Sequence, residues 1–569
     1  MLKVIKKHKI FAIFLLILAI YLSLKAVPKN NWDDWGFGSA QTMMSSKHWA
    51  KNGFIKSKFL FLPTGYSKVV KYIDDKDLRQ HAHGISTGEL IGNRLYYTHY
   101  PAGYLAPHAT LMKIGFNERM WFRWSALSFS LLGLVFMYAL FNIFSTKIVA
   151  FLAVFYYAGS TMFLGLADSL ANQPIDDFLR FLIMFLSAYA VFKLRKNDER
   201  KEKIYNMAIW FLYFALALSS YDSTFFIFVW LVGLDIVYFF SLSSDKKNVL
   251  SEIKNVFFLN WKKWLIIGCA PALAFLTQII QNMWYLGLND ALLDIYGSFR
   301  ARANTGPGSN TLAKHIRAVF SPLSYMADMR ARFAIFFTVV LSVGFLFLKK
   351  LAAYRWTNAK ILILLFFAGA TYPFVLVSSG YFPYQGRQLA PFAGFLLASA
   401  TVLVFFILKN IKTIKNGMTK SVAVLMIVFF LAVGLFWFFQ AKRTYTYIKH
   451  WPNNYVEKAV MEFSDELKNI AGGRDAVVFR IDEDTPYDYP QIHPIVEYYI
   501  GMPVLSFSKI DKLVDDYKLL KSKSDIAFYS FFVVGNEEQK NKIKRLVNND
   551  EVLILVRPDI KEIFNTLAH

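Results

Sequence analysis

A single cysteine, Cys269, stands in a chain of 569 residues. One thiol cannot close an internal disulfide, so a disulfide scaffold is excluded. Charge is scarce too: Asp, Glu, Lys and Arg together make up 18% of the chain, against about 25% in an average soluble domain. Acidic residues are the scarcer sign, 40 against 64 basic ones. No Gly-x-x-x-x-Gly-Lys run occurs, so the sequence offers no loop of the kind that cradles nucleotide phosphates. What abounds is apolar: 55% hydrophobic, 18% aromatic, with 56 Phe and a mean hydropathy of +0.34. That aromatic content rules out disorder, and the apolar excess argues against a soluble enzyme. The class is a polytopic α-helical membrane protein.

The net charge of +24 raises the question of nucleic acid. Its distribution answers against it. Lys and Arg concentrate in short connections between apolar runs, where membrane proteins keep their cytoplasmic positive charge. A span needs about 20 mostly apolar residues. The first is expected over Lys9–Val27, behind Lys3, Lys6, Lys7 and Lys9. It ends Leu24-Lys25-Ala26-Val27-Pro28 without a good small-x-small cleavage site, which favours an uncleaved anchor over a signal peptide. Further spans are expected at 122–143, 147–166, 176–194, 204–219, 223–241, 264–286, 331–348, 361–379, 391–408 and 421–440. That makes about eleven. With the N-terminus inside, the connections Lys193–Lys203, Ser243–Lys263, Lys349–Lys360 and Lys409–Lys420 all fall inside and all are basic. The outside turns near Asp168 and Asp222 carry no basic residue. An error of one span would invert the pattern for every later loop.

Three outside segments exceed a connector: 28–121, 287–330 and 441–569. The second contains Asn304-Thr305-Gly306-Pro307-Gly308-Ser309, a flexible loop flanked by helical patterns. In the third, Ala476–Ile481, Val504–Phe507, Ile526–Val534 and Val552–Val556 read as buried strands. They alternate with amphipathic helices near 509–523 and 536–548, which predicts a small C-terminal α/β domain beside the membrane module of 1–440.

Chemistry can sit on the outside face, which gathers the first loop, Asp168, Asp176, Asp222 and Arg387. Just past span one stands Asn31-Trp32-Asp33-Asp34-Trp35, followed by a helical pattern over Phe37–Lys51 with Met43, Met44, Trp49 and Phe54. Such a helix can lie along the interface, with Trp32, Trp35 and Trp49 as belt anchors. Two adjacent aspartates at membrane depth favour protonation, by repulsion and desolvation. On spacing alone they also read as a solvated helix N-cap. A second constellation is Tyr96-Tyr97-Thr98-His99-Tyr100-Pro101-Ala102-Gly103-Tyr104, then Pro107-His108. Its turn-forming residues, rings and imidazole suit a sugar or a phosphate, or else an interfacial aromatic turn. The third is Tyr381 to Pro391, where Arg387 is the lone cation of its turn, able to snorkel or to clamp a phosphate.

Together these motifs resemble the GT-C class of integral-membrane glycosyltransferases, in particular the protein O-mannosyltransferases and aminoarabinose-transferase-like enzymes. The class pattern is an acidic pair soon after the first span, then a helix with small and aromatic residues and a Gly before a Pro-containing turn. Asp33-Asp34, Gly36–Trp49, Gly53 and Pro63 match it, with Asp for the usual Glu at 34. The later His/Lys-Pro-Pro turn is met by His99-Tyr100-Pro101-Ala102, with an inserted Tyr and Ala for the second Pro. Arg387 to Pro391 fits an Arg preceding a Pro in a late outside loop. The resemblance covers about 1–440.

It implies an enzyme that moves one sugar from a polyprenyl-phosphate donor to an outside hydroxyl on a glycan, a glycolipid or a protein. Asp33 would take the acceptor proton, and Asp34 would orient the acceptor or raise the basicity of Asp33, with inversion at the sugar. Arg387, with Arg300 or Arg302 as second choices, would meet the departing phosphate. Tyr97, His99, Tyr100 and Tyr384 would hold sugar or isoprenoid. Asp168 and Asp176, which flank the turn near Pro174, would bind acceptor or metal, or else cap that turn, while Asp222 reads as a turn residue. His81 and His83, with Asp74, Asp75 and Asp77 upstream, fix no ligand geometry. No tightly bound cofactor or metal is expected, although a divalent ion bridging carboxylate and phosphate is compatible with these groups. The expected location is a bacterial or archaeal plasma membrane, N-terminus inside and tail outside. The partners are lipid bilayer, donor and acceptor, and no nucleic acid. The main rivals are a transporter or flippase of lipid-linked sugars. Transporters show repeated halves and midplane ionisable groups, whereas here the ionisable groups collect at the outer ends of spans.

Overall fold

The computed structural model describes residues 8–27, 36–62, 69, 96–98, 100–195, 198–242, 249–303, 356–375, 388–409, 420–450, 458–481, 491–492, 497–498, 501–524, 529–547 and 552–556. The apolar runs are helices. In chain order they are α1 (Lys9–Ala26), α2 (Gly36–Asn52), α3 (Leu105–Lys113), α4 (Arg119–Phe144), α5 (Lys147–Ala158), α6 (Thr161–Leu166) and α7 (Gln173–Tyr189). There follow α8 (Glu199–Ala217), α9 (Tyr221–Leu242), α10 (Val249–Leu286), α11 (Leu288–Ala303), α12 (Trp356–Val375), α13 (Ala390–Lys409) and α14 (Lys420–His450). The described part of each expected span is therefore largely helical; 331–348 and the end of 361–379 fall outside the described residues. Among the described residues, four stretches are long and apolar enough to cross a bilayer by length and composition: Lys9–Ala26, Arg119–Phe144, Ser223–Phe240 and Lys254–Leu286. The chain is a multi-pass helical membrane protein.

Two spans differ from expectation. The third is broken. Gly159 ends α5, and the Ser160 hydroxyl caps α6 by accepting from Phe163 N at 3.2 Å. The carbonyl freed at Gly159 accepts from Gln440 Nε2 at 3.1 Å and Thr444 Oγ1 at 2.5 Å on α14. A neighbouring helix thus satisfies what the break exposes. The seventh span belongs to a longer helix: α10 begins at Val249 and runs through Pro271, so much of the expected basic connection 243–263 is helical. Its apolar residues Phe257, Phe258, Leu259 and Trp261, interleaved with lysines, carry the helix onward.

The interface helix expected over 37–51 is α2, but it does not lie on a surface. Ala40, Met43, Ser45, Ser46 and Trp49 are all buried. Trp49 is 2% exposed and donates Nε1 to Leu60 O at 2.9 Å. It is a core residue and not a belt anchor: its ring packs edgewise on Phe54 and Phe59 of the turn that follows α2, while Met43 and Ala40 pack toward α3 and the C-terminal domain.

That domain follows α14. Helix α15 (Lys458–Ala471) leads into a sheet of β1 (Ala476–Ile481), β2 (Gln491–Ile492), β3 (Val504–Phe507), β4 (Ser530–Gly535) and β5 (Val552–Val556), with α16 (Ile510–Lys521) and α17 (Glu537–Leu546) between strands. The order is β2-β3-β1-β4-β5, parallel except for the edge pair of β2 with β3. Every residue of β1 is buried, as parallel strands covered on both faces require. Ala476 and Val478 face α15, whereas Val477, Phe479 and Ile481 join Leu513, Tyr517 and Ile543 of α16 and α17. Ala40 of α2 sits in the first of these clusters with Phe463, Leu467 and Met502. The domain therefore rests on the first-loop helix.

Candidate active site

At the end of the bundle away from the basic connections, segments far apart in sequence meet through buried polar groups. The turn from α6 to α7 is the centre. Asp168 is fully buried and accepts from Arg123 of α4 and from Lys25 of α1, the latter at 3.3 Å. Lys25 Nζ also donates to Leu164 O at 2.8 Å. Burial opposes ionisation of Asp168, but the two cations outweigh it and hold the carboxyl below the usual carboxylate range. This triad ties the end of α1 to the turn and to α4.

One residue further, the Ser39 hydroxyl accepts from Leu170 N at 3.0 Å and lies 3.4 Å from the Ser169 hydroxyl. Asn172 Nδ2 donates to Tyr100 OH at 2.9 Å, and that hydroxyl donates to Ser220 Oγ at 3.3 Å. The Tyr100 ring packs edgewise on Tyr221 at 5.6 Å. Gly103 closes the arrangement by donating its N–H to Leu218 O at 2.9 Å. A Cβ at Gly103 would come within 2.5 Å of that same oxygen, which explains glycine there.

On the first turns of α7, Asp176 accepts from Ser223 Oγ at 2.8 Å. Ser223 in turn accepts from Gln388 Nε2 at 3.0 Å and from Arg180 Nη1 at 3.3 Å. Asp177 accepts from Arg180 Nη2 and from Tyr157 OH, each at 2.5 Å. Pro174 at the helix start, where its missing N–H costs nothing, lets these acids follow directly.

Of the residues expected to act, Asp168, Asp176 and Tyr100 come together here. Tyr97 forms an antiparallel bridge with Phe61. Arg300 and Arg302 belong to α11 by backbone. Asp33, Asp34, His99, Tyr384 and Arg387 lie outside the described residues, as do His81 and His83. Their chain neighbours are placed: Ser39 is on the first turn of α2, and Gln388 follows Arg387. Asp222 is in the first turn of α9. Among the described residues no group of three His, Cys, Asp or Glu could hold a metal.

Lys25, Arg123, Asp177 and Arg180 were not singled out from sequence. The available signal was their position: ionisable residues inside or beside apolar runs are costly and must find partners. Asp177 and Arg180, three apart on one helical face, form a local pair that spacing alone can find. Lys25, Asp168 and Arg123 meet only in the fold.

No protein-family model matches the chain, and no curated protein matches it. Among solved structures it is similar to the oligosaccharyltransferase AglB from Archaeoglobus fulgidus in complex with an inhibitory peptide and a dolichol-phosphate. There the identity is 11%, 99% of this chain and 71% of that one are covered, and the TM-score is 0.48. It is also similar to ArnT from Cupriavidus metallidurans bound to undecaprenyl phosphate, at 10% identity over 99% of this chain and 95% of that one, with a TM-score of 0.44.

Proposed function

We propose that the chain is a GT-C-type glycosyltransferase that moves one sugar from a polyprenyl-phosphate donor to an acceptor hydroxyl on the outer face. The observation that supports this most is the convergence at the turn 168–176. Ser39 brings the start of α2 to Leu170, Tyr100 brings the aromatic segment to Asn172, and Gln388 brings the end of the Arg387 loop to Asp176 through Ser223. These are the same segments that carry the resemblance, and nothing in the sequence requires them to meet.

In this reading the acceptor O–H loses its proton to Asp33 as its oxygen attacks the anomeric carbon. The bond from that carbon to the phosphate oxygen breaks, the polyprenyl phosphate leaves with the electron pair, and the sugar inverts. Arg387, or Arg300 and Arg302 on α11, balances the phosphate charge. Tyr97, His99, Tyr100 and Tyr384 hold the sugar or isoprenoid. Asp34 and Asp176 orient the acceptor. Asp168, already bonded to two buried cations, serves the site by holding the turn. The membrane module spans 1–440 and the α/β domain 441–569, with the N-terminus cytoplasmic. A divalent ion, held by the carboxylates of the site, would supply positive charge to the leaving phosphate.

Transfer from radiolabelled polyprenyl-phosphate sugars to membrane acceptors tests this reading. Asp33→Asn keeps the shape and removes the base, so transfer should fall at least about a hundredfold while donor binding persists. Equal transfer by wild type, Asp33→Asn and Asp34→Asn would refute the assigned base. Donor carried across vesicles without transfer would favour a transporter.

A further inference from the structure

A second buried polar chain stands beside the candidate site. Residues 96–98 run between α10, α11 and the bridge to Phe61. Tyr96 N donates to Tyr285 OH at 3.2 Å, and Asn282 Nδ2 donates to Thr98 O at 3.2 Å. Asn282 is itself held by Gln278 Nε2 at 3.0 Å. The Thr98 hydroxyl donates to Asp294 Oδ2 at 2.6 Å, with both side chains buried. Three of these groups come from the corner where α10 turns into α11 at Gly287, whose φ is +83°. A buried hydroxyl and a buried carboxyl are costly to separate, so this contact holds its two segments in a fixed register.

The two segments matter for different reasons. Two residues past Thr98 lies Tyr100, whose hydroxyl joins Asn172 and Ser220. Six and eight residues past Asp294 on α11 come Arg300 and Arg302, the former about 9 Å along the helix axis. We propose that Thr98 and Asp294 form a latch that sets the position of Tyr100 relative to α11, and that both are positioning residues for donor binding. The assignment rests on the transferase reading for the donor and on geometry alone for the latch. Neither residue touches substrate. Each acts by holding the aromatic segment and the arginine-bearing helix at a fixed separation, so that one ligand can meet both.

The pair Thr98→Val and Thr98→Ser separates position from fold. Valine keeps the shape and loses the hydroxyl, while serine keeps the hydroxyl. The full-length protein in detergent is compared by hydrogen exchange, then by steady-state transfer from a polyprenyl-phosphate sugar. Thr98→Val should speed exchange in both 100–104 and 288–303, and leave the C-terminal sheet unchanged. It should raise the donor KM about tenfold with kcat within about twofold, because contacts made in ground and transition state alike are lost. Thr98→Ser should stay within about twofold of wild type in every readout. Unchanged exchange in 288–303 would overturn the latch, and so would a kcat loss without a KM change. If the wild type transfers nothing, the transferase reading fails while exchange still decides the latch.

Discussion

Two buried ion networks occupy opposite ends of the helical bundle, and they are built differently. At the lysine-rich end, Asp235 on α9 accepts from Arg195 at 2.7 Å, Lys263 at 2.9 Å and Trp264 at 2.8 Å, while Arg195 also bonds Glu202 at 2.9 Å. Its members all lie between residues 195 and 264, on consecutive elements, and both cations keep some contact with solvent. At the other end, Asp168 joins Lys25 and Arg123, with all three sealed, and Lys25 reaches as far as Tyr447 OH at 3.5 Å on α14. The first network fastens neighbours. The second assembles elements from across the chain, which is what a site built from several loops needs.

Breaking each network should expose that difference. Asp168→Ala strands two buried cations and should cost the most, about 3–5 kcal/mol, read as lost thermal stability in detergent and disordering of α1. The next effect comes from pH. His108 on α3 is buried against Phe122, and burial pushes its pKa down to about 4. The unfolded imidazole takes a proton below about 6.5 while the folded one stays neutral, so stability is complete above that value and falls as pH drops toward 4. The expected loss is about 3 kcal/mol across that window, and His108→Phe should flatten it. Asp235→Asn should cost less, about 1–3 kcal/mol, since Arg195 and Lys263 can turn their charge toward water. The smallest effect expected is for Trp49→Phe, about 1–2 kcal/mol, from the lost bond to Leu60 O and a small void. If Asp235→Asn proved costlier than Asp168→Ala, the contrast between the two ends would be wrong.

Much of the helical plan was legible because a bilayer demands long apolar runs. The sheet was legible for a related reason: β1, β3 and β5 are short apolar runs bounded by polar or turn-forming residues, as buried strands require. Edge strand β2 and helix α15 carried no comparable run and were missed. The break at Gly159 was hidden because its repair lies on α14, almost 300 residues away. For the same reason Trp49 read as a belt anchor, since what buries it is the fold around α2. The candidate site was legible as residue types and loops, but not as contacts. Asp168 could be a ligand or a cap by sequence; that it bonds Lys25 and Arg123 is visible only in the fold.

The most direct measurement is a photo-crosslinking map with a diazirine-bearing polyprenyl phosphate on the reconstituted protein. Label should concentrate in peptides covering 97–104, 168–176, 288–303 and 381–391, and excess unlabelled polyprenyl phosphate should compete it away. Label gathered around Arg195, Asp235 and Lys263 instead, or spread without competition over the apolar faces, would contradict the proposed donor site at the end that holds Asp168.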